Sequence, residues 1–193
     1  MDSQYKIINK KKLHNGFFKL HDINFKHRKH DGSWSNKVSR EVFGGAHVST
    51  VLPYDPDKKK ILLLKQFRAG AMKREENPIL IEIVAGMIDE GETPEEAANR
   101  ECFEETGCKI NKLVDIYSYY PAPGSSESYY HFFLGEVKSF EGEKIFGKED
   151  EDEDILVKSY TIEEVKNLLN EKKILNGVTL LALQWFFLNY YKN

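Results

Sequence analysis

Three glutamates in the stretch RECFEETGC have a spacing that can bind a cation. On an α-helix Glu101 and Glu105 lie one turn apart on the same face, and Glu104 lies beside them at three-residue spacing. Like charges at these spacings repel one another. Hard cations such as Mg²⁺, however, bind a few carboxylates while keeping water and substrate phosphate in their shell. The pattern therefore indicates either a solvated acidic face or a site that holds a cation against a phosphate.

The residues around these glutamates predict the helix that positions them. Thr93 is a favourable N-cap, Pro94 suits the first helical position, and Glu96 completes a capping box with Thr93. Gly107 is a typical residue for the end of a helix. We therefore predict a helix from Pro94 to Thr106.

Length and composition predict a folded domain. The chain has 193 residues, 40% of them hydrophobic, and a net charge of -3, which is typical of one globular domain or one domain with a small appendage. A nucleic-acid partner is not expected, because the chain has no basic excess. No signal peptide or membrane-spanning segment is recognisable. Cys102 and Cys108 are interpreted as buried reduced thiols, which favours the cytoplasm.

The wider pattern predicts an α+β fold. An Asp-Gly pair at 31–32 lies between β-prone segments 17–29 and 34–43, which predicts a hairpin. Helices are predicted at 161–170, after a Thr-x-x-Glu capping box, and at 178–191. Further strands are predicted at 47–53, 61–67, 79–84, 113–119 and 129–138.

The helix and its flanks resemble the Nudix box of the Nudix hydrolases. Residues 86–108 contain Gly86, Glu92 and the Arg-Glu-x-x-Glu-Glu-x-Gly pattern from Arg100, with cysteines at two apolar positions. The resemblance implies an α/β/α sandwich, dependence on a divalent metal, and hydrolysis of a nucleoside diphosphate linked to another moiety. A metal is needed chemically because the negative pyrophosphate repels an attacking water.

The resemblance also implies roles inside the box. Glu101 and Glu105 would be metal ligands, as would the backbone carbonyl of Ala85. Arg100 is expected to face away from the carboxylates and to pair with Glu92, which would fix the loop to the helix.

Most of the chain resembles the ADP-ribose pyrophosphatases of that family. Pro123, sixteen residues after Gly107, matches their pattern, and so do stretches such as SREVFGGAHVSTVLPYDP and IEIVAGMIDEGE. The resemblance implies Mg²⁺-dependent cleavage of ADP-ribose to AMP and ribose 5-phosphate, with Mn²⁺ as the alternative metal. It also implies a homodimer exchanged through an N-terminal β region, 1–45, beside a Nudix domain, 46–193.

Two other functions stay open. The loop GSSESYY after Pro123 departs from the usual GGTSER of the group, so another nucleoside diphosphate sugar such as GDP-mannose is the alternative substrate. A non-catalytic nucleotide-sensing domain is the alternative from another class. The intact Glu101, Glu104 and Glu105 argue against the sensor, which has no need to retain all three.

The acidic run at 149–154 is a second candidate site. Such runs are usually solvated loops. In the resembling enzymes, however, a loop at this place closes over the metals and supplies the general base. That implies Glu151 as the base and Glu153 as a further metal contact; an acid one position away, Asp150 or Asp152, could serve instead. Glu104 in the box is the next candidate base.

The resemblance also implies three substrate-binding residues. Arg68 in KQFRAG belongs to the same subunit's site, whereas Arg40 and Phe17 would reach the partner's site through the exchanged hairpin. An arginine can pair with phosphate or stack on adenine, and a phenylalanine can stack on a base. The alternative interpretation of each is a surface arginine or a core phenylalanine.

Overall fold

The computed structural model describes residues 3–74, 77–148 and 152–192. It divides into two compact units. The first contains residues 1–47 and 119–130, and the second contains residues 48–118 and 131–193. In the described parts of the chain, no helix is long and apolar enough to cross a membrane.

The strands form one small sheet and one large mixed sheet. The strands are β1 (Tyr5–Asn15), β2 (Lys19–His27), β3 (Val38–Gly44), β4 (His47–Asp55), β5 (Lys60–Phe67), β6 (Ile79–Glu82), β7 (Val84–Met87), β8 (Ile110–Tyr119), β9 (Tyr129–Val137), β10 (Glu143–Phe146) and β11 (Ile155–Thr161). The small sheet has the order β1-β2-β3, and the large sheet has the order β10-β11-β5-β4-β9-β8, with β6 paired to β5 and β7 paired to β4.

The predicted hairpin is confirmed as β2 and β3, which pair antiparallel from Lys19↔Gly44 to Phe25↔Val38. Gly32 in its connection has φ +82°, a left-handed conformation that favours glycine. Strand β1 was not predicted, because all its residues are exposed and no buried face imposes an alternating pattern.

The helices follow their predicted caps closely. They are α1 (Pro94–Thr106), α2 (Ile162–Asn170) and α3 (Gly177–Trp185), and a short π-helix, 186–190, extends α3. Thr93 and Thr161 each form the predicted capping box. The predicted helix 178–191 therefore changes its hydrogen-bond pattern after Trp185.

The strand predicted at 79–84 is two strands. Strands β4 and β5 pair with each other at Tyr54↔Ile61 and Asp55↔Lys60. Beyond these pairs, β6 is the partner of β5, and β7 is the partner of β4. Between β6 and β7, the N–H of Ile83 donates to Thr179 Oγ1 of α3 at 3.0 Å. A side chain from a distant helix thus replaces a strand partner at this residue.

Helix α1 packs its small residues onto the large sheet. Ala98 and Cys102 are fully buried against Val84 of β7 and Val157 of β11. The helix therefore lies on β7, the strand that carries Ala85 and Gly86. The predicted α+β sandwich is confirmed, and its packing sets the site described next.

Candidate active site

Glu105 is the most buried of the box carboxylates. It follows Cys102 by one turn on the inward side of α1, so the packing of the helix also buries Glu105, which is 5% exposed. Its Oε2 accepts a hydrogen bond from the N–H of Ala85 at 3.2 Å. Burial raises the pKa of the Glu105 carboxyl well above its usual range, and the nearby charge of Glu101 adds to the rise.

Glu101 lies directly over the glycine of the box. A Cβ added at Gly86 would collide with the Glu101 carboxylate, so the absence of a side chain there leaves room for this carboxylate against the backbone of β7. Burial raises the pKa of Glu101 despite the opposing effect of Arg100. Two carboxylates and the main chain at Ala85–Gly86 are therefore held close together.

Arg100 fixes the loop before the helix and also contacts the acidic cluster. Its Nε and Nη2 donate to the two oxygens of Glu92, each at 2.8 Å, and Nη2 also donates to the carbonyl of Met87 at 2.9 Å. The predicted pair with Glu92 is confirmed. The expectation that Arg100 faces away from the carboxylates was wrong, because its Nη1 donates to Glu101 Oε1 at 2.5 Å and to Glu104 Oε2 at 3.4 Å. The guanidinium is broad enough to bridge both groups.

The loop between β10 and β11 brings Lys148 and Glu153 to this cluster. Phe146 pairs with Ile155 across the hairpin, and the N–H of Glu153 donates to the carbonyl of Lys148 at 3.1 Å. Lys148 Nζ lies 3.1 Å from Glu104 Oε2. The charge of Glu153 contributes to the raised pKa of Glu105. Glu151 itself lies outside the described residues, as do 149 and 150.

Arg68 lies at the end of β5 and is held by Glu82 of β6. Its Nε and Nη2 donate to the same Glu82 oxygen at 2.9 and 2.6 Å. Desolvation alone would lower the pKa of Arg68, but its hydrogen bond to Glu82 and the charges of Glu82, Glu105 and Glu153 raise it. Arg68 therefore belongs to the electrostatic environment of the box.

The other two predicted substrate-binding residues belong to the first compact unit. Arg40 is on β3, where its Nη1 donates to the carbonyl of Ser39 at 2.7 Å. Phe17 lies in the turn between β1 and β2 and is 82% exposed, which excludes the alternative of a core phenylalanine in this chain.

Two side chains at the site were not predicted. Glu82 is 4% exposed, and Gln66 Nε2 donates to Glu153 Oε1 at 3.0 Å. The signal for Glu82 was present in the sequence, since an acid inside the apolar stretch ILIEIV must find a partner if it is buried. No comparable signal marked Gln66.

The donor set suits a hard divalent cation. Carboxylate and carbonyl oxygens are the ligands that such cations prefer, and a cation beside Glu105 would favour its ionised form. Across 3–74, 77–148 and 152–192, no three His, Cys, Asp or Glu side chains form a preassembled metal-binding group. Residues that could supply oxygen ligands here are Glu101, Glu105, Glu153 and the carbonyl of Ala85, although the three carboxylates do not converge on one point in this structure.

Comparison with known protein families assigns the chain to one of them. Residues 45–180 match the NUDIX domain, and the chain belongs to that family. Its backbone is similar to that of a structure described as an ADP compounds hydrolase, with a TM-score of 0.72, 19% identity and 97% of each chain covered.

Relatives of known activity extend the comparison. The ADP-ribose pyrophosphatase of Escherichia coli (strain K12) is 37% identical over 184 residues, covering 95% of this chain and 88% of that protein. The ADP-ribose pyrophosphatase of Haemophilus influenzae is 38% identical over 187 residues, covering 95% and 86%. A GDP-mannose pyrophosphatase of Shigella flexneri is 30% identical over 191 residues, covering 98% of both.

Proposed function

We propose that this chain is a homodimeric, Mg²⁺-dependent hydrolase that cleaves the pyrophosphate of ADP-ribose to AMP and ribose 5-phosphate. The observation that carries the proposal is the carboxylate cluster, in which Glu101 and the buried Glu105 lie against the Ala85–Gly86 backbone. The substrate is supported by 37–38% identity to ADP-ribose pyrophosphatases, against 30% to a GDP-mannose pyrophosphatase.

Each residue of the site has a defined task in this proposal. Glu101, Glu105, Glu153 and the Ala85 carbonyl would hold the divalent cation, which would neutralise the pyrophosphate and favour ionisation of the attacking water. Glu151 is the proposed general base for the attacking water, and Glu104 is the alternative base. Arg100 keeps Glu92 and Glu101 in place, and Arg68 pairs with the substrate's phosphates.

The proposed assembly uses the first unit. Residues 1–45 form the dimerisation region, residues 46–193 form the Nudix domain, and Phe17 and Arg40 contribute to the partner's site. Exposed apolar side chains on the edge strand β1 support a covering partner; Tyr5 is 60%, Ile7 56% and Ile8 53% exposed. The cytoplasm is the proposed location, supported by the free, buried Cys102 and Cys108.

A substrate panel tests the function. The protein is incubated with Mg²⁺ and a set of nucleoside diphosphate sugars, and phosphate is measured after phosphatase treatment, which acts on the monoester products but not on the intact diesters. We expect ADP-ribose to give the highest kcat/KM and a chelator to abolish the activity. Faster turnover of GDP-mannose would favour the alternative substrate, and no turnover of any member would favour the non-catalytic sensor.

A further inference from the structure

Glu82 is a buried carboxylate for which the proposed reaction has no task. It lies at the end of β6, three residues before the proposed metal ligand Ala85, and its side chain is 6% exposed. A buried charge is costly unless it is paired and its remaining lone pairs accept hydrogen bonds. Its partners therefore indicate what this carboxylate does.

Both oxygens of Glu82 are engaged, and by different elements. Arg68 donates twice to Oε2, at 2.9 and 2.6 Å. Asn176 Nδ2 donates to Oε1 at 3.0 Å. The carboxylate thus links the end of β5 to the start of α3.

Asn176 is itself held in one orientation. It is the N-cap of α3, and its Oδ1 accepts from the N–H of Thr179 at 2.9 Å and from Thr179 Oγ1 at 3.1 Å. Because the helix needs this oxygen, the amide must present Nδ2 to Glu82. Thr179 Oγ1 in turn accepts from the N–H of Ile83, which closes the network on the residue after Glu82.

Arg68 is the exposed end of this network. Its side chain is 42% exposed, whereas that of Glu82 is 6% exposed. An arginine that is held on one edge loses less conformational entropy when its guanidinium binds a phosphate. The network therefore resembles the support that a binding side chain requires.

We propose that Glu82, braced by Asn176, is a positioning residue that fixes Arg68 for the substrate's pyrophosphate. The inference rests on the proposed function, because Arg68 must bind substrate for its orientation to matter. It assigns to the N-terminus of α3 a part in substrate binding, although none of the proposed substrate contacts lies on α3.

The substitution Glu82→Gln tests this role because a glutamine cannot satisfy both partners. It offers one acceptor oxygen and one NH₂ group, whereas Arg68 and Asn176 both donate. Rotation of the Asn176 side-chain amide by 180° would remove the oxygen that caps α3. Glu82→Gln therefore releases Arg68 or leaves two donors facing each other.

The measurement is a double-mutant cycle on ADP-ribose hydrolysis at saturating Mg²⁺. We expect Arg68→Ala to raise KM about 10- to 100-fold, because it removes a charged hydrogen bond to phosphate. Glu82→Gln should raise KM about 3- to 10-fold with little change in kcat or in the Mg²⁺ concentration for half activation. In the Arg68→Ala background Glu82→Gln should add nothing to KM, because coupled residues are non-additive.

Two further variants separate positioning from stability. Asn176→Ser keeps an N-cap oxygen for α3 but removes the donor to Glu82, so it should raise KM in the wild-type background alone; it also serves if Glu82→Gln does not fold. Thr161→Ala removes the capping box of α2 and should lower the melting temperature while leaving KM unchanged.

The possible outcomes are distinct. An unchanged KM in both Glu82→Gln and Asn176→Ser, or an equal rise in KM with and without Arg68, would overturn the inference while the proposed function stands. A wild-type protein that hydrolyses no nucleoside diphosphate sugar would overturn the proposed function first, and the inference with it.

Discussion

Glu105 shows at the scale of one residue how the fold prepares a site for a cation. Its carboxylate is buried beside that of Glu101, and burial raises its pKa well above the usual range. In the folded protein without metal, ionisation of Glu105 is therefore unfavourable. The penalty is absent below the unfolded carboxylate pKa of about 4.3, grows as the pH rises from there to the raised folded pKa, and is constant above it.

Replacement of Glu105 by Gln should separate activity from stability. The variant keeps the shape but removes the charge that binds the cation, so we expect kcat to fall at least about 100-fold, measured with ADP-ribose and Mg²⁺. At neutral pH the metal-free variant should melt at a higher temperature than the metal-free wild type, because it lacks the carboxyl whose pKa is raised on folding.

The exposed Glu95→Gln on the same helix is the matched control, which should change neither quantity. Near wild-type turnover by Glu105→Gln at saturating Mg²⁺ would show that the box is not the active site.

The acidic loop permits a second prediction at this scale. Glu151→Gln, which removes the proposed base, should lower kcat about 10²- to 10⁴-fold with little change in KM. Glu153→Gln should also weaken the apparent Mg²⁺ affinity, because Glu153 lies close enough to contribute to the field at Glu105. Titration of Mg²⁺ at fixed substrate distinguishes the two variants.

Neighbouring acids set the limits of this assignment. If Glu151→Gln has wild-type kcat and the Asp150 or Asp152 variant is inactive, the general base is that aspartate and not Glu151. If every acid from 149 to 154 can be neutralised singly without loss, the base lies elsewhere, with Glu104 the next candidate.

At the scale of elements, the site depends on the close approach of α1 to β7. Gly86 pairs with Ser49 across the sheet, and the Glu101 carboxylate occupies the space that a side chain at Gly86 would fill. The colliding group is the far end of a flexible side chain. Gly86→Ala should therefore leave the fold intact and displace Glu101.

We expect Gly86→Ala to lower kcat/KM about tenfold or more and to raise the Mg²⁺ concentration for half activation, since a metal ligand displaced by about 1 Å loses its geometry. Gly177→Ala, at the first residue of α3 and outside both the box and the loop after Pro123, is the matched control, because an added Cβ there meets nothing within 4 Å. Equal Mg²⁺ titration curves for Gly86→Ala and the wild type would contradict the proposed ligand role of Glu101.

The loop before α1 should also respond to pH. The hydrogen bond from Arg100 lowers the pKa of Glu92 to about 2, against about 4.3 when unfolded. Because the folded pKa is depressed, the stabilisation is fully present above about pH 4.3 and is lost as the pH falls toward 2.

Glu92→Gln should cost about 1 to 2 kcal/mol of unfolding free energy at pH 7. The difference between this variant and the wild type should shrink between pH 4.3 and 2 in urea unfolding curves. A difference that is independent of pH would show that the ion pair does not stabilise the loop.

At the scale of the whole molecule, the proposed dimer is the decisive feature. If Arg40 and Phe17 complete the partner's site, a monomer lacks part of its substrate contacts. Arg40→Ala should then raise KM more than it lowers kcat, because the contact holds ground state and transition state alike. Light scattering and kinetics on the same samples provide the measurement, and a fully active monomer would contradict the assembly.

The sequence by itself determined the elements whose signals are local. The bounds of α1 follow from Thr93, Pro94 and Gly107, because caps act within one turn of the chain. The hairpin β2–β3 follows from its Asp-Gly turn, and the pairing of Arg100 with Glu92 follows from the family pattern. These features require no knowledge of what lies across the fold.

Only the tertiary structure decided the contacts that join distant parts of the chain. The division of β6 from β7 depends on Thr179, the partners of Glu82 come from β5 and α3, and Arg100 reaches Glu101 as well as Glu92. No local pattern encodes these, because each depends on which elements pack together and on how much water that packing removes. Burial by such packing is also what makes Glu105 different from the solvated glutamates of the same helix.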